Sequence, residues 1–142
     1  MKTIKIGKHT VSNENVQNVD FNKLLNGEKA HILYTDPPWG DGNMKYWCTL
    51  NKRHTGQENE PMTYKKLIGI IKEMIVNHVD GYVFLETGNK WLDETIKDLE
   101  GVLFNQEVYQ LTYKSGSKVL PNPVIVATTN PNITLPDLKD LE

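Results

Sequence analysis

Asp36-Pro37-Pro38-Trp39 is the string whose residue types make poor sense as packing and good sense as chemistry. A carboxylate that accepts hydrogen bonds is followed by two prolines, which fix the backbone and place no N–H beside it, and then by a broad indole. A four-residue match of this type arises by chance in a chain this long roughly one time in a thousand. It follows an apolar, β-prone run, residues 31–35, and open α/β sheets hold ligands just beyond the carboxyl ends of strands. The plainer alternative is a turn that merely ends a strand, with Asp36 as a cap and Trp39 as a core plug. A strand that stays apolar to its end gives the carboxylate no packing reason to be there.

A second group of candidates is less specific. Residues 44–54 hold Lys45, Tyr46, Trp47, Lys52 and Arg53, and cations mixed with aromatics hold phosphates and stack bases. The same residues read also as a solvated loop; Trp47 favours function, because an indole is costly to leave on a mobile surface. Glu86-Thr87-Gly88-Asn89 follows another apolar run at the same sheet edge as Asp36, where polar side chains line pockets. Asn89 reads better as the N-cap of the next helix. Lys114 and Lys118 flank a glycine turn and read as hairpin solubility more than as phosphate contacts. Cys48 is the only cysteine and the four histidines are scattered, so the sequence offers neither a disulfide framework nor metal-ligand spacing.

These side chains need elements to hold them, and the signals run strand, helix, strand, helix, hairpin. Residues 31–35 predict a buried strand that the prolines stop. Thr63 is a helix N-cap, and Leu67, Ile70, Ile71, Met74, Ile75 and His78 recur behind it at helical spacing. Residues 81–85 predict a second buried strand. Leu92, Thr95, Ile96 and Leu99 mark a second amphipathic helix that Gly101 stops. Residues 107–113 and 123–128 read as an antiparallel hairpin. Upstream, residues 3–6 alternate briefly, and Asp20 caps a short helical segment over 21–25 that Asn26-Gly27 closes. Residues 40–61 show no apolar periodicity and are expected to form a long functional loop. The whole implies an α/β fold, a mostly parallel sheet with an antiparallel C-terminal hairpin at its edge. One domain is expected over residues 1–130, with a polar tail over 131–142.

Bulk composition narrows the classes. At 142 residues the chain suits one domain, and 38% apolar residues suffice for a packed core. A net charge of −2 confines any nucleic-acid contact to local patches. No apolar run approaches the ~18 residues of a membrane span, and a cytoplasmic location is expected.

The run His31-Ile32-Leu33-Tyr34-Thr35-Asp36-Pro37-Pro38-Trp39 resembles the catalytic motif of S-adenosylmethionine-dependent DNA amino-methyltransferases of the adenine type. The likeness covers most of the chain as architecture and residues 36–39 at residue level. It implies a partial Rossmann-like methyltransferase sheet and methyl transfer from S-adenosylmethionine to the exocyclic N6 amine of adenine in DNA. By that resemblance the Asp36 carboxylate and the Pro37 carbonyl accept the two amine N–H bonds, Pro38 belongs to the same catalytic turn, and Trp39 stacks on the flipped base. Asp36 would also touch the donor, while Trp39, Lys45, Trp47, Lys52 and Arg53 would meet nucleic acid. The Gly-rich turn that holds the donor in related enzymes is missing; Gly40-Asp41-Gly42 is the nearest glycine pair and is weak evidence. The resemblance therefore implies a catalytic half, with a second polypeptide or segment carrying the donor-binding half. RNA or a small amine is the alternative substrate. A non-catalytic nucleic-acid-binding or assembly subunit is the alternative of another class, and the intact Asp36 argues against it.

Overall fold

The computed structural model describes residues 3–138. The last residues of the tail expected over 131–142 lie outside that span. The chain opens on a separate two-stranded hairpin, β1 (Thr3–Ile6) and β2 (His9–Ser12), in a stretch where the sequence signalled only the first strand. The short helix α1 (Phe21–Leu24) follows, with the Asp20 side chain accepting from the Lys23 N–H as its cap residue should.

The main sheet has four strands in the order β3 (Ala30–Thr35), β4 (Val79–Glu86), β6 (Lys118–Thr128) and β5 (Phe104–Ser115). It is mixed rather than mostly parallel. β3 pairs parallel with β4, whereas β6 pairs antiparallel with both β4 and β5. The expected edge hairpin does not simply extend the sheet: its second strand inserts between β4 and β5, which explains why residues 122–128 are buried without interruption.

Helix α3 (Tyr64–His78) is capped by Thr63, whose side chain accepts from the Lys66 N–H. Leu67, Ile68, Ile71 and Ile75 of α3 pack with Val83 and Leu85 of β4 and with Ile125 and Ala127 of β6. Each large aliphatic side chain so buried contributes about 1.5–3 kcal/mol. Leu99 joins this core just after the short helix α4 (Leu92–Asp98). A single turn of 3-10 helix, Asn89–Trp91, leads into α4, and Gly88 precedes it without a side-chain cap, so the N-cap role expected of Asn89 is not found.

Two further expectations are corrected. Residues 40–61 are mostly helix: α2 runs Asp41–Thr55. It contains no buried residue, so it carries no apolar stripe for periodicity to detect. Its ends are well signalled, with Asp41 in the first turn, Lys52, Arg53 and His54 in the last, and Gly56 in the left-handed conformation as the stop. Nor is residues 31–35 a buried strand. β3 stands at the end of the sheet with β4 as its only partner among the described residues, and Ile32 and Tyr34 are 59% and 60% exposed. Among the described residues no helix is long and apolar enough to cross a membrane.

Candidate active site

β3 delivers the motif at its carboxyl end. Pro37 and Gly40 are buried, Pro38 and Trp39 half-buried, and Asp36 is exposed. The turn is closed by the Gly40 N–H, which donates to the Pro38 carbonyl at 3.1 Å. That occupies Pro38, while the Pro37 carbonyl has no hydrogen-bond partner among the described residues. The Trp39 indole N–H donates to Asp36 Oδ1 at 2.9 Å, which orients the carboxylate and leaves Oδ2 open.

The helix that replaces the expected loop completes the site. Asn43 Oδ1 accepts the Trp39 backbone N–H at 3.3 Å and the Trp47 indole N–H at 3.0 Å. One amide oxygen thus ties the Asp36–Gly40 turn to α2 and fixes where both indoles stand. Asp36, Pro37, Pro38, Trp39, Asn43 and Trp47 line a cleft of about 350 Å³, and Trp47 is 53% exposed at its mouth. A larger groove of about 620 Å³ between residues 16–21 and α3 shares no residue with the motif. The chemistry, not the volume, marks the smaller cleft.

A buried layer supports the turn from behind. Gly40 has φ 110°, and a Cβ there would meet the Trp91 indole at 2.0 Å, so only glycine fits. The Trp91 ring packs on Tyr64 with centroids 4.9 Å apart, and the Tyr64 hydroxyl bonds Thr87 at 2.8 Å and Thr95 at 2.9 Å. Asp41 Oδ1 accepts the Tyr64 backbone N–H at 2.7 Å, joining the start of α2 to the start of α3. Gly40 is consequently packed against Trp91, whereas Asp41 and Gly42 are exposed and Gly42 has open space around it. Asp36 has no cationic partner among the described residues.

The remaining candidates divide. Lys45 and Lys52 share a groove of about 300 Å³ on α2 with Cys48 and Thr49, where Lys52 forms an ion pair with Glu58. Arg53 lines neither that groove nor the cleft. Tyr46 packs edge-on against Trp47, centroids 5.6 Å apart. Of Glu86-Thr87-Gly88-Asn89, Thr87 belongs to the buried hydroxyl layer and Gly88 makes room for Trp39, whose Cβ would lie 3.0 Å from a Cβ at Gly88. Glu86 accepts the Tyr34 hydroxyl on one oxygen and the Asn122 amide at 2.9 Å on the other. The Tyr34 hydroxyl has its pKa raised, first by the hydrogen bond to Glu86, then by desolvation and by the charges of Glu86 and Asp36.

Sequence reasoning missed Asn43, Tyr34 and Asn122. Asn43 and Trp47 are four apart, a signal that becomes visible once the segment is taken as helical. Tyr34 and Asp36 are two apart, on one side of a strand. No group of three or more His, Cys, Asp and Glu among the described residues is placed to hold a metal ion. No protein-family model matches the chain, and no curated protein matches it at a significant level.

Proposed function

We propose that this chain carries the catalytic part of an S-adenosylmethionine-dependent amino-methyltransferase whose substrate is the N6 amine of adenine in DNA. The observation that supports it most is the pair of open acceptors, Asp36 Oδ2 and the Pro37 carbonyl, beside two indoles in one cleft. An aromatic amine is a weak nucleophile because its lone pair is delocalised into the ring. Two acceptors that take its two N–H bonds pull the nitrogen toward a tetrahedral shape and free the lone pair. As the nitrogen becomes positive, a carboxylate already fixed by the Trp39 N–H stabilises it without reorganising. Trp39 and Trp47 offer ring faces to the extruded base, which recovers part of the unstacking cost. The donor supplies the electrophilic methyl group.

The donor's nucleoside end needs residues beyond those described, and the free flank of β3 is the side on which a partner chain would add them. An open strand edge with exposed Ile32 and Tyr34 favours pairing with another chain.

Asp36→Ala, tested in the assembled enzyme with labelled donor, is expected to lower turnover by several orders of magnitude while leaving DNA affinity nearly unchanged. Methyl transfer that survives within about tenfold, only ~1.4 kcal/mol of barrier, overturns the role given to Asp36.

A further inference from the structure

The strongest unassigned feature is a polar row that crosses three adjacent strands at the end of the sheet beside the cleft. Tyr34 of β3, Glu86 of β4 and Asn122 of β6 are joined by hydrogen bonds through the Glu86 carboxylate. Asn122 is 2% exposed, and its amide is spent on holding Glu86 Oε2 at 2.9 Å. The carboxylate is thus oriented from below, as a ligand group is, rather than left to swing in solvent. Its oxygens offer about four lone-pair sites and only two are taken. The Tyr34 oxygen, having donated its proton, remains an acceptor, and the residue is 60% exposed.

Charge decides what this row accepts. β3 and β4 pair in the register Tyr34↔Phe84 and Thr35↔Leu85, so the next residues, Asp36 and Glu86, stand level at the strand ends. Like charges at such positions repel. Neither carboxylate has a cationic partner among the described residues. An anion would be repelled there, and the row lacks the three or more ligating groups a metal ion wants. A primary ammonium fits: it is a compact cation with three N–H donors, to be shared among Glu86, the Tyr34 oxygen and the field of Asp36.

We propose that Tyr34, Glu86 and Asn122 form a recognition site for a primary ammonium group, set beside the catalytic carboxylate. Two sources carry that chemistry: the amino-acid end of the methyl donor, whose assignment rests on the function proposed above, and a lysine of a chain that docks on β3. In the first case this chain holds the donor's ammonium, with the donor's own carboxylate turned away from Asp36 and Glu86, while the partner holds the nucleoside end.

The isotope-labelled full chain, titrated by NMR, tests the site without any methyl transfer. With S-methylmethionine, the amides of Tyr34, Glu86 and Asn122 are expected to shift at millimolar concentration, and the N-acetylated compound is expected to leave them in place. Acetyl-lysine-amide is the second arm. Stronger binding of the lysine compound upholds the site and assigns it to a docking chain; stronger binding of the sulfonium assigns it to the donor. Glu86→Gln retains an amide oxygen to accept the Asn122 N–H and is expected to weaken either ligand by about tenfold or more, the loss of one charge-assisted hydrogen bond. The proposal is overturned if the N-acetylated compound shifts the same amides equally, if Glu86→Gln binds unchanged, or if neither ammonium moves them. Loss of the methyltransferase reading through Asp36→Ala would leave these shifts untouched.

Discussion

Trp39 performs two separable tasks with one ring system. Its face lines the cleft and its edge holds Asp36 Oδ1. Trp39→Phe keeps most of the face and deletes the N–H, so turnover is expected to fall while capture of a fluorescent adenine analogue persists. Trp39→Ala deletes both, and capture should weaken by roughly 1–3 kcal/mol, the usual worth of base–aromatic stacking. Equal analogue fluorescence in parent and Trp39→Ala would return Trp39 to packing alone. Tyr34 supplies a second test. Its folded pKa lies above the ordinary 10.0, so its contribution to stability is complete below that value and is lost as pH rises through the folded pKa. An alkaline titration of tyrosinate absorbance should show late-titrating tyrosines, with one fewer in Tyr34→Phe; Tyr109, bonded to Glu107, accounts for another. The motif was legible in sequence because its residue types are rare together and sit at a strand end. The polar row was not, because Asn122 reaches Glu86 only through a strand order that no local pattern encodes.

Helix α2 shows how an element escapes a reading based on apolar spacing. Its inner face carries half-buried Asn43, Met44 and Cys48, too mixed to register, and its evidence lay in its ends, Gly40, Asp41 and Gly56. Once it is helical, Asn43 and Trp47 fall on one face and the cleft acquires its second wall. Asn43→Ala is expected to release Trp47, lowering turnover and analogue capture with little change in melting temperature, since none of α2 is buried. Undiminished capture in that variant would show that Trp47 takes no part in holding the base. Gly40 belongs to the opposite regime. Gly40→Ala combines a strained backbone, about 1–3 kcal/mol, with a clash against Trp91, and is expected to lower melting temperature and shift Trp fluorescence together. By contrast α3 was plain from sequence, because Leu67, Ile71 and Ile75 recur on one face and are buried.

At the scale of the molecule, β3 is an edge whose outer flank is unpaired among the described residues, and the two-chain proposal is tested there. Ile32→Lys is expected to change stability by no more than about 0.5 kcal/mol, since Ile32 is already mostly exposed, yet to abolish pairing with a partner chain. Mass in solution, measured with and without the partner, reads this out. Titration of the chain alone with S-adenosylmethionine should give no micromolar binding, and such binding by a monomer would sink the two-chain reading. The order of elements from α3 onward was legible, because helix and strand periods alternate clearly there. The position of β6 inside the sheet was not, since a hairpin pattern does not say which of its strands meets the rest. The first hairpin was half-seen, its return strand being short and polar. The cleft unites parts of unequal firmness. Asp36 and Trp39 rest on Gly40, Trp91 and the Tyr64 hydroxyl layer, which belong to the core, whereas Asn43 and Trp47 stand on a helix that contributes no buried residue. Such a division gives the cleft one fixed jaw and one loose jaw: α2 is expected to open by local unfolding while the Asp36–Gly40 turn keeps its shape. Amide exchange should therefore be fast along α2 and slow along α3, and a bulky base would enter by displacing the jaw that costs least to move.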